Sequence, residues 1–168
     1  GGPANFQEWL SDTRLFLSLG KRDILHASLL YRYRTGELGR SIGLYDDFHI
    51  GGGNSLRGFS SNIAAGKSEI LFTLENRFDL IGRKPLSWWK VNAHYGLQIV
   101  AGSDWVTNWD HAALAGGSPL HSLYGGIHLL LPGVDRIRWE LGSGTSRMSL
   151  VFTTSLMEKS YFQRFRDR

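Results

Sequence analysis

Apolar and polar residues change places at every step along most of this chain, and that period of two constrains the fold more than any other feature. Trp89, Val91, Ala93, Tyr95, Leu97 and Ile99 alternate with Lys90, Asn92, His94, Gly96 and Gln98. Upstream, Ile70, Phe72, Leu74, Asn76 and Phe78 alternate with Glu69, Leu71, Thr73, Glu75 and Arg77. Ile137, Trp139 and Leu141 oppose Arg138, Glu140 and Gly142; Met148, Leu150, Phe152, Thr154 and Leu156 oppose Ser149, Val151, Thr153 and Ser155. Weaker versions occupy residues 13–19, 25–33 and 123–131. Successive side chains of a β-strand point to opposite faces, so the pattern predicts seven strands, each with one apolar and one polar face. Turns are expected at 20–23, 81–86, 132–135 and 142–146, and long connections at 35–67 and 102–121. No stretch carries helical periodicity with caps, and the fold class is all-β.

Two architectures bury one face of such strands. A soluble sandwich packs its apolar faces into a core. An antiparallel transmembrane β-barrel turns them to lipid and keeps the polar faces for its lumen. No window approaches the ~20 apolar residues of a membrane-spanning helix, but a spanning strand needs only ~9–11 and escapes a hydropathy scan. The predicted strands reach that length. Trp9, Tyr31, Tyr33, Trp88, Trp89, Trp105 and Trp109 cluster near strand ends, as at a membrane interface. Gly96, Gly126 and Gly142 fall on polar faces, where a crowded lumen favours small residues. The length of 168 residues allows one ordinary domain. A net charge of +4 is too modest and dispersed to imply nucleic acid, and the lack of cysteine excludes disulfides and thiolate chemistry.

The least ordinary segment is FHIGGGNSLRGFSSN, residues 48–62. Gly51, Gly52 and Gly53 in succession suit a backbone that needs positive φ or close approach, and Gly58 repeats the demand. A phosphate-cradling loop would end in Gly-Lys-Ser/Thr and open a helix, and this one does neither. Leu56 and Phe59 flank Arg57, which points to a folded loop that sets one guanidinium against an acidic partner.

Here the chain resembles the C-terminal part of the barrel in the outer-membrane assembly and translocation superfamily. That superfamily, also described as the bacterial surface antigen family, includes the BamA and TamA insertases and the two-partner secretion transporters. The stretch GGGNSLRGF, with Gly51, Gly52, Gly53, Asn54, Leu56, Arg57, Gly58 and Phe59, is similar to that family's inward-folded extracellular loop, whose core reads Arg-Gly-Phe or Arg-Gly-Tyr. SEILFTLENRFDLI resembles the strand that follows, KVNAHYG the next, GGIHLLLPGVDRIRWELG the penultimate hairpin and RMSLVFTTSL the last strand. The resemblance implies that Arg57 enters the lumen and contacts Glu75. The family's second acidic position falls on His94, an exchange that would weaken the clamp or make it pH-dependent.

The resemblance also implies a non-enzymatic outer-membrane component that inserts or exports polypeptides, without cofactor or metal. The expected partners are outer-membrane lipid, unfolded outer-membrane or secreted polypeptides, and either a second copy or an N-terminal half-barrel, because a family barrel has about sixteen strands. No nucleic acid is expected. The domain is placed at 9–156, with loop 35–67 inside it, residues 1–8 as a scar or N-terminal extension, and 157–168 as a basic tail or the end of the last strand. The alternatives are a barrel that only anchors a longer protein, and a soluble β-sandwich binding module with Trp89, Val91 and Tyr95 in its core and Lys90, Asn92 and Gln98 in water. Catalysis by Ser55 or Ser60 with His94 and Asp104, and a metal held by His94, His128, Glu75 and Glu140, are weaker readings. Polar filling of a lumen and ordinary turn chemistry account for the same residues. Arg32, Arg34, Lys90 and Arg138 on a single-stranded nucleic-acid platform would leave the apolar faces uncovered.

Overall fold

The computed structural model describes residues 5–37, 48–53, 55–60, 63–88, 91–109, 119–131, 134–144 and 148–153. These residues form nine strands in chain order: β1 (Asn5–Ser18), β2 (Asp23–Glu37), β3 (Phe48–Ile50), β4 (Ala64–Gly66), β5 (Ser68–Trp88), β6 (Val91–Trp109), β7 (Leu120–Leu131), β8 (Val134–Gly142) and β9 (Met148–Thr153). Seven make one antiparallel sheet in the order β1-β2-β5-β6-β7-β8-β9, and β3 and β4 pair by themselves. The molecule is all-β, with no helix among the described residues. Within those residues β1 pairs only with β2 and β9 only with β8, so the sheet is open rather than closed into a barrel.

Several strands outrun the sequence expectation, each for a local reason. The predicted turn at 81–86 is part of β5, where bulges between Asp79 and Ile81 and between Ile81 and Lys84 absorb Gly82 and let Pro85 continue the strand. The predicted connection from 102 is strand as far as Trp109, because Gly102 makes room for the Tyr124 ring and Val100, an apolar residue on the polar face, masks continued alternation. Asn5–Glu8 are part of β1. The connection 35–67 contains the unforeseen β3–β4 ribbon. Residues 157–168, Asn54, Trp89 and Lys90 lie outside the described residues.

The two faces are reversed relative to a water-soluble sheet. On the inner face Glu75, Asp104, His128 and Glu140 are at most 2% exposed. On the outer face Leu123, Trp139 and Ile127 are 62%, 54% and 43% exposed. Register aligns Phe78 with Ile99, Ile99 with Ile127 and Ile127 with Trp139, a continuous apolar row across β5, β6, β7 and β8.

Segment 48–66 is what covers the inner face. Its Ile50 and Leu56 are fully buried with Leu71 and Val106 of the sheet, while Phe59, Ile63, Leu30 and Leu120 pack around them. Each fully buried aliphatic side chain contributes about 1.5–3 kcal/mol. This small apolar cluster therefore supplies cohesion that the outward-facing apolar residues do not. Phe48 adds a second anchor, with the Arg32 and Arg34 guanidinium carbons 4.5 and 4.9 Å from its ring centre. Arg32 is paired to Glu69, and Arg34 to Glu8 at 2.7 Å.

Candidate functional site

The site is built where the loop turns. Gly51, Gly52 and Gly58 have φ of 116°, 83° and 85°, values that a side chain would strain. Ser55 closes the turn: its hydroxyl accepts from the Gly51 amide at 2.7 Å and donates to the Gly51 carbonyl at 2.9 Å. Gly53 is not in the positive-φ set; its carbonyl faces Arg138 Nη2 at 3.5 Å. Gly58 lies backbone to backbone on Gly142 of β8, and a Cβ on either glycine would come within 2.5 Å of the other's backbone. The Phe59 ring, a side chain rather than backbone, lies over Gly144 and fills the space that a Cβ there would need. Two bare backbones in contact let the loop approach the wall closely enough for the side chain between Leu56 and Gly58 to reach across it.

That side chain is Arg57, only 7% exposed. Its Nε donates to Asp104 Oδ2 at 2.9 Å and its Nη2 to Asp104 Oδ1 at 3.0 Å, a two-pronged bond from β6. Its backbone amide donates to the same carboxylate at 3.2 Å. Nη1 donates to Glu75 Oε2 of β5 at 2.7 Å and faces Glu140 Oε1 of β8 at 3.3 Å. Strands β5 and β8 are three spacings apart, ~14 Å in a flat sheet. Two of their carboxylates on one nitrogen therefore require a strongly concave inner face. The Tyr124 ring stacks on the guanidinium, 3.5 Å from its central carbon, and its hydroxyl donates to Glu75 Oε2 at 2.8 Å.

A second layer holds these partners. Thr73 donates to Asp104 Oδ1 at 2.8 Å, Arg77 pairs with Glu75, and His128 Nε2 lies 2.7 Å from Glu140 Oε1. Gly102 leaves the space that Tyr124 fills, since a Cβ there would meet the Tyr124 hydroxyl at 2.3 Å. Burial works against the charge on Arg57, but Asp104, Tyr124 and Glu140 outweigh it and push the guanidinium's pKa above its ordinary value. The group is a permanent cation in this site, suited to binding rather than proton transfer.

The structure brings Arg57 and Glu75 together and does not bring His94 to them. His94 is exposed and opposes Pro85, whereas the residue of β6 level with Glu75 is Gly102. Eight residues of strand separate His94 from Gly102, about 26 Å. The place expected for His94 is filled by Asp104, so the anticipated pH-dependence through His94 has no geometric basis. Asp104 sits in a Gly-Ser-Asp run past Ile99, the last residue of the alternation, and inside the predicted connection 102–121. Glu140 and Tyr124 carried the right face parity, but nothing in one dimension shows that they converge. Asp104 is taken up by Arg57 and Thr73, and Ser55 by Gly51, so no hydrolase triad is assembled with His94. Among the described residues no three His, Asp or Glu side chains are grouped to hold a metal.

Gly142→Ala tests the backbone contact directly. The added methyl meets the Arg57 carbonyl and Gly58 Cα at 2.5 Å, neither of which is a flexible side-chain end. The loop should lift, and chymotryptic cleavage at Phe48 or Phe59 should rise at least about tenfold, whereas Gly20→Ala, which meets nothing within 4 Å, should not alter it. Equal cleavage in the two variants would show that the contact does not hold the loop.

No protein-family model, curated protein or solved structure gives a significant match to this chain.

Proposed function

We propose that this chain is the C-terminal half of an outer-membrane β-barrel of the assembly and translocation superfamily, acting without catalysis in polypeptide insertion or export. The observation that carries the reading is the reversed polarity of the sheet. Charged residues and Arg57 are enclosed on the concave side, while Phe78, Ile99, Ile127 and Trp139 line up bare on the convex side. A sandwich would have the opposite arrangement, yet Gln98 is buried and Ile99 is exposed. The outer apolar rows run from Phe72 and Trp105, whose rings stand 5.3 Å apart, to Phe78 and Ile99, six residues away. That is ~20 Å along the strand, close to the ~25 Å apolar band of such barrels.

Among the described residues the outer edges of β1 and β9 are unpaired, and lipid cannot satisfy their amides and carbonyls, so a barrel must close through more protein. With seven alternating strands, β1 and β9 run in the same direction. A second copy related by rotation about the barrel axis would meet the first at parallel seams. One further strand per copy, or an N-terminal half-barrel with an odd number of strands, makes every seam antiparallel. The partners in this reading are outer-membrane lipid, that completing half, and unfolded client polypeptides. A barrel that only anchors a longer protein is the second reading, favoured by the loop that fills the concave face.

Fractionation decides the location: the chain should follow outer membranes and need detergent to stay monodisperse. A monodisperse monomer in detergent-free buffer would end the barrel reading. Reconstitution with an unfolded outer-membrane client separates machine from anchor, since only the machine should accelerate client insertion.

A further inference from the structure

His128, fully buried on the inner face of β7, shares an acceptor with the loop. Its Nε2 lies 2.7 Å from Glu140 Oε1, and the same oxygen faces Arg57 Nη1 at 3.3 Å. Beside that guanidinium Glu140 is a carboxylate and can only accept, so Nε2 carries a hydrogen. The other ring nitrogen, Nδ1, is buried and has no hydrogen-bond partner among the described residues. Gln98 Oε1, on the residue opposite in β6, is equally without one, so these two atoms are not bonded to each other. A hydrogen on Nδ1 would find no acceptor, and the docked site therefore holds the neutral ring.

Charged groups face the ring from the elements packed around it. Strand β8 supplies Glu140, Arg136 and Arg138, the last directly opposite His128. Strand β5 supplies Glu75, and Asp79 beyond Gln98, which donates to it at 2.7 Å. The loop supplies Arg57. Arg138 Nη1 lies 3.9 Å from Glu140 Oε1, so a protonated ring would be a third cation at one oxygen. The loop reaches this corner a second time, where the Gly53 carbonyl faces Arg138 Nη2 at 3.5 Å.

We propose that His128 is a proton-sensitive latch for the loop: docking requires the neutral ring, and protonation of His128 at mildly acid pH releases segment 48–66. Lifting the loop takes Arg57 off Glu140 and admits water, which supplies the acceptor that a hydrogen on Nδ1 lacks. The lifted state then takes up a proton that the docked state excludes. Docking is fully favoured above the ordinary histidine pKa of about 6.5 and weakens about tenfold for each pH unit below it. The inference rests on the docked loop and not on what the outer face meets.

The test is papain cleavage of segment 48–66 in the purified chain in non-ionic detergent, divided at each pH by papain's rate on a free peptide of residues 48–62. That quotient removes the protease's own pH dependence. Between pH 8 and pH 5 it should rise at least about tenfold, with a ceiling of about thirtyfold. His128→Gln keeps a donor for Glu140 but does not titrate, and should hold the change within about twofold. His128→Asn, a smaller non-titrating amide, should do the same and covers the case in which Gln disturbs the sheet. His49→Gln, on the exposed loop histidine, and His26→Gln, whose Nδ1 lies 3.4 Å from Arg77 Nη2 in the wild type, should both keep the rise. A flat wild-type profile overturns the proposal without any variant. So does a rise that survives both His128 substitutions, one that His26→Gln abolishes, or one accompanied by loss of the far-UV β-sheet signal, which is unfolding of the sheet itself.

Discussion

Arg57→Ala should release the loop from the sheet and raise its chymotryptic cleavage at least about a hundredfold. The variant leaves Asp104, Glu75 and Glu140 buried without the cation that touches all three. Removing one partner of a buried ion pair typically costs about 3–5 kcal/mol, because the remaining charge stays desolvated. When loop opening is fast relative to cleavage, that cost appears directly as the population open to protease. Arg57→Lys should recover only part of the protection: an ammonium keeps the charge but loses both the fork onto Asp104 and the stacking on Tyr124. Lys67→Ala, at the end of the loop, is the comparison and should change cleavage far less. If Arg57→Ala and Lys67→Ala are cleaved alike, the clamp does not hold the loop, and the apolar cluster around Ile50 and Leu56 does.

Ile127→Arg should block folding into lipid vesicles while leaving the chain's behaviour in aqueous buffer unchanged or improved. Ile127 sits in the outer row between Ile99 and Trp139 and is exposed. If that row meets lipid, an arginine there costs about 2–4 kcal/mol near the bilayer midplane. If it meets water, a surface substitution of this kind stays within about 0.5 kcal/mol. The folded fraction read by heat-modifiable gel mobility, with and without urea, distinguishes the two. Wild-type yields from Ile127→Arg would mean that the outer face is not a lipid surface.

The main sheet and its facing were legible in one dimension because a strand's side-chain period is two whatever the strand packs against. The parity of Glu75, Gln98, Tyr124, His128 and Glu140 placed each on the polar side before any neighbour was known. The loop announced itself because positive φ at Gly51, Gly52 and Gly58 requires glycine, and Leu56 and Phe59 required a core to enter. What the sequence could not carry was alignment between strands. One apolar residue on the polar face, Val100, hid the upper part of β6 and, with it, Asp104. The misplacement of His94 followed, since a motif match fixes which strand a residue belongs to but not how far along that strand its neighbours fall.

Face and composition were therefore decided by local sequence, which sets the direction of each side chain from the backbone that bears it. The clamp was decided by tertiary structure. Curvature brings Glu75, Asp104 and Glu140 from three strands onto one guanidinium, and the contact between Gly58 and Gly142 sets how deep that guanidinium goes. Convergence depends on register, bulges and bend summed over the whole sheet, and a sequence specifies those only through the contacts that the folded sheet finally makes.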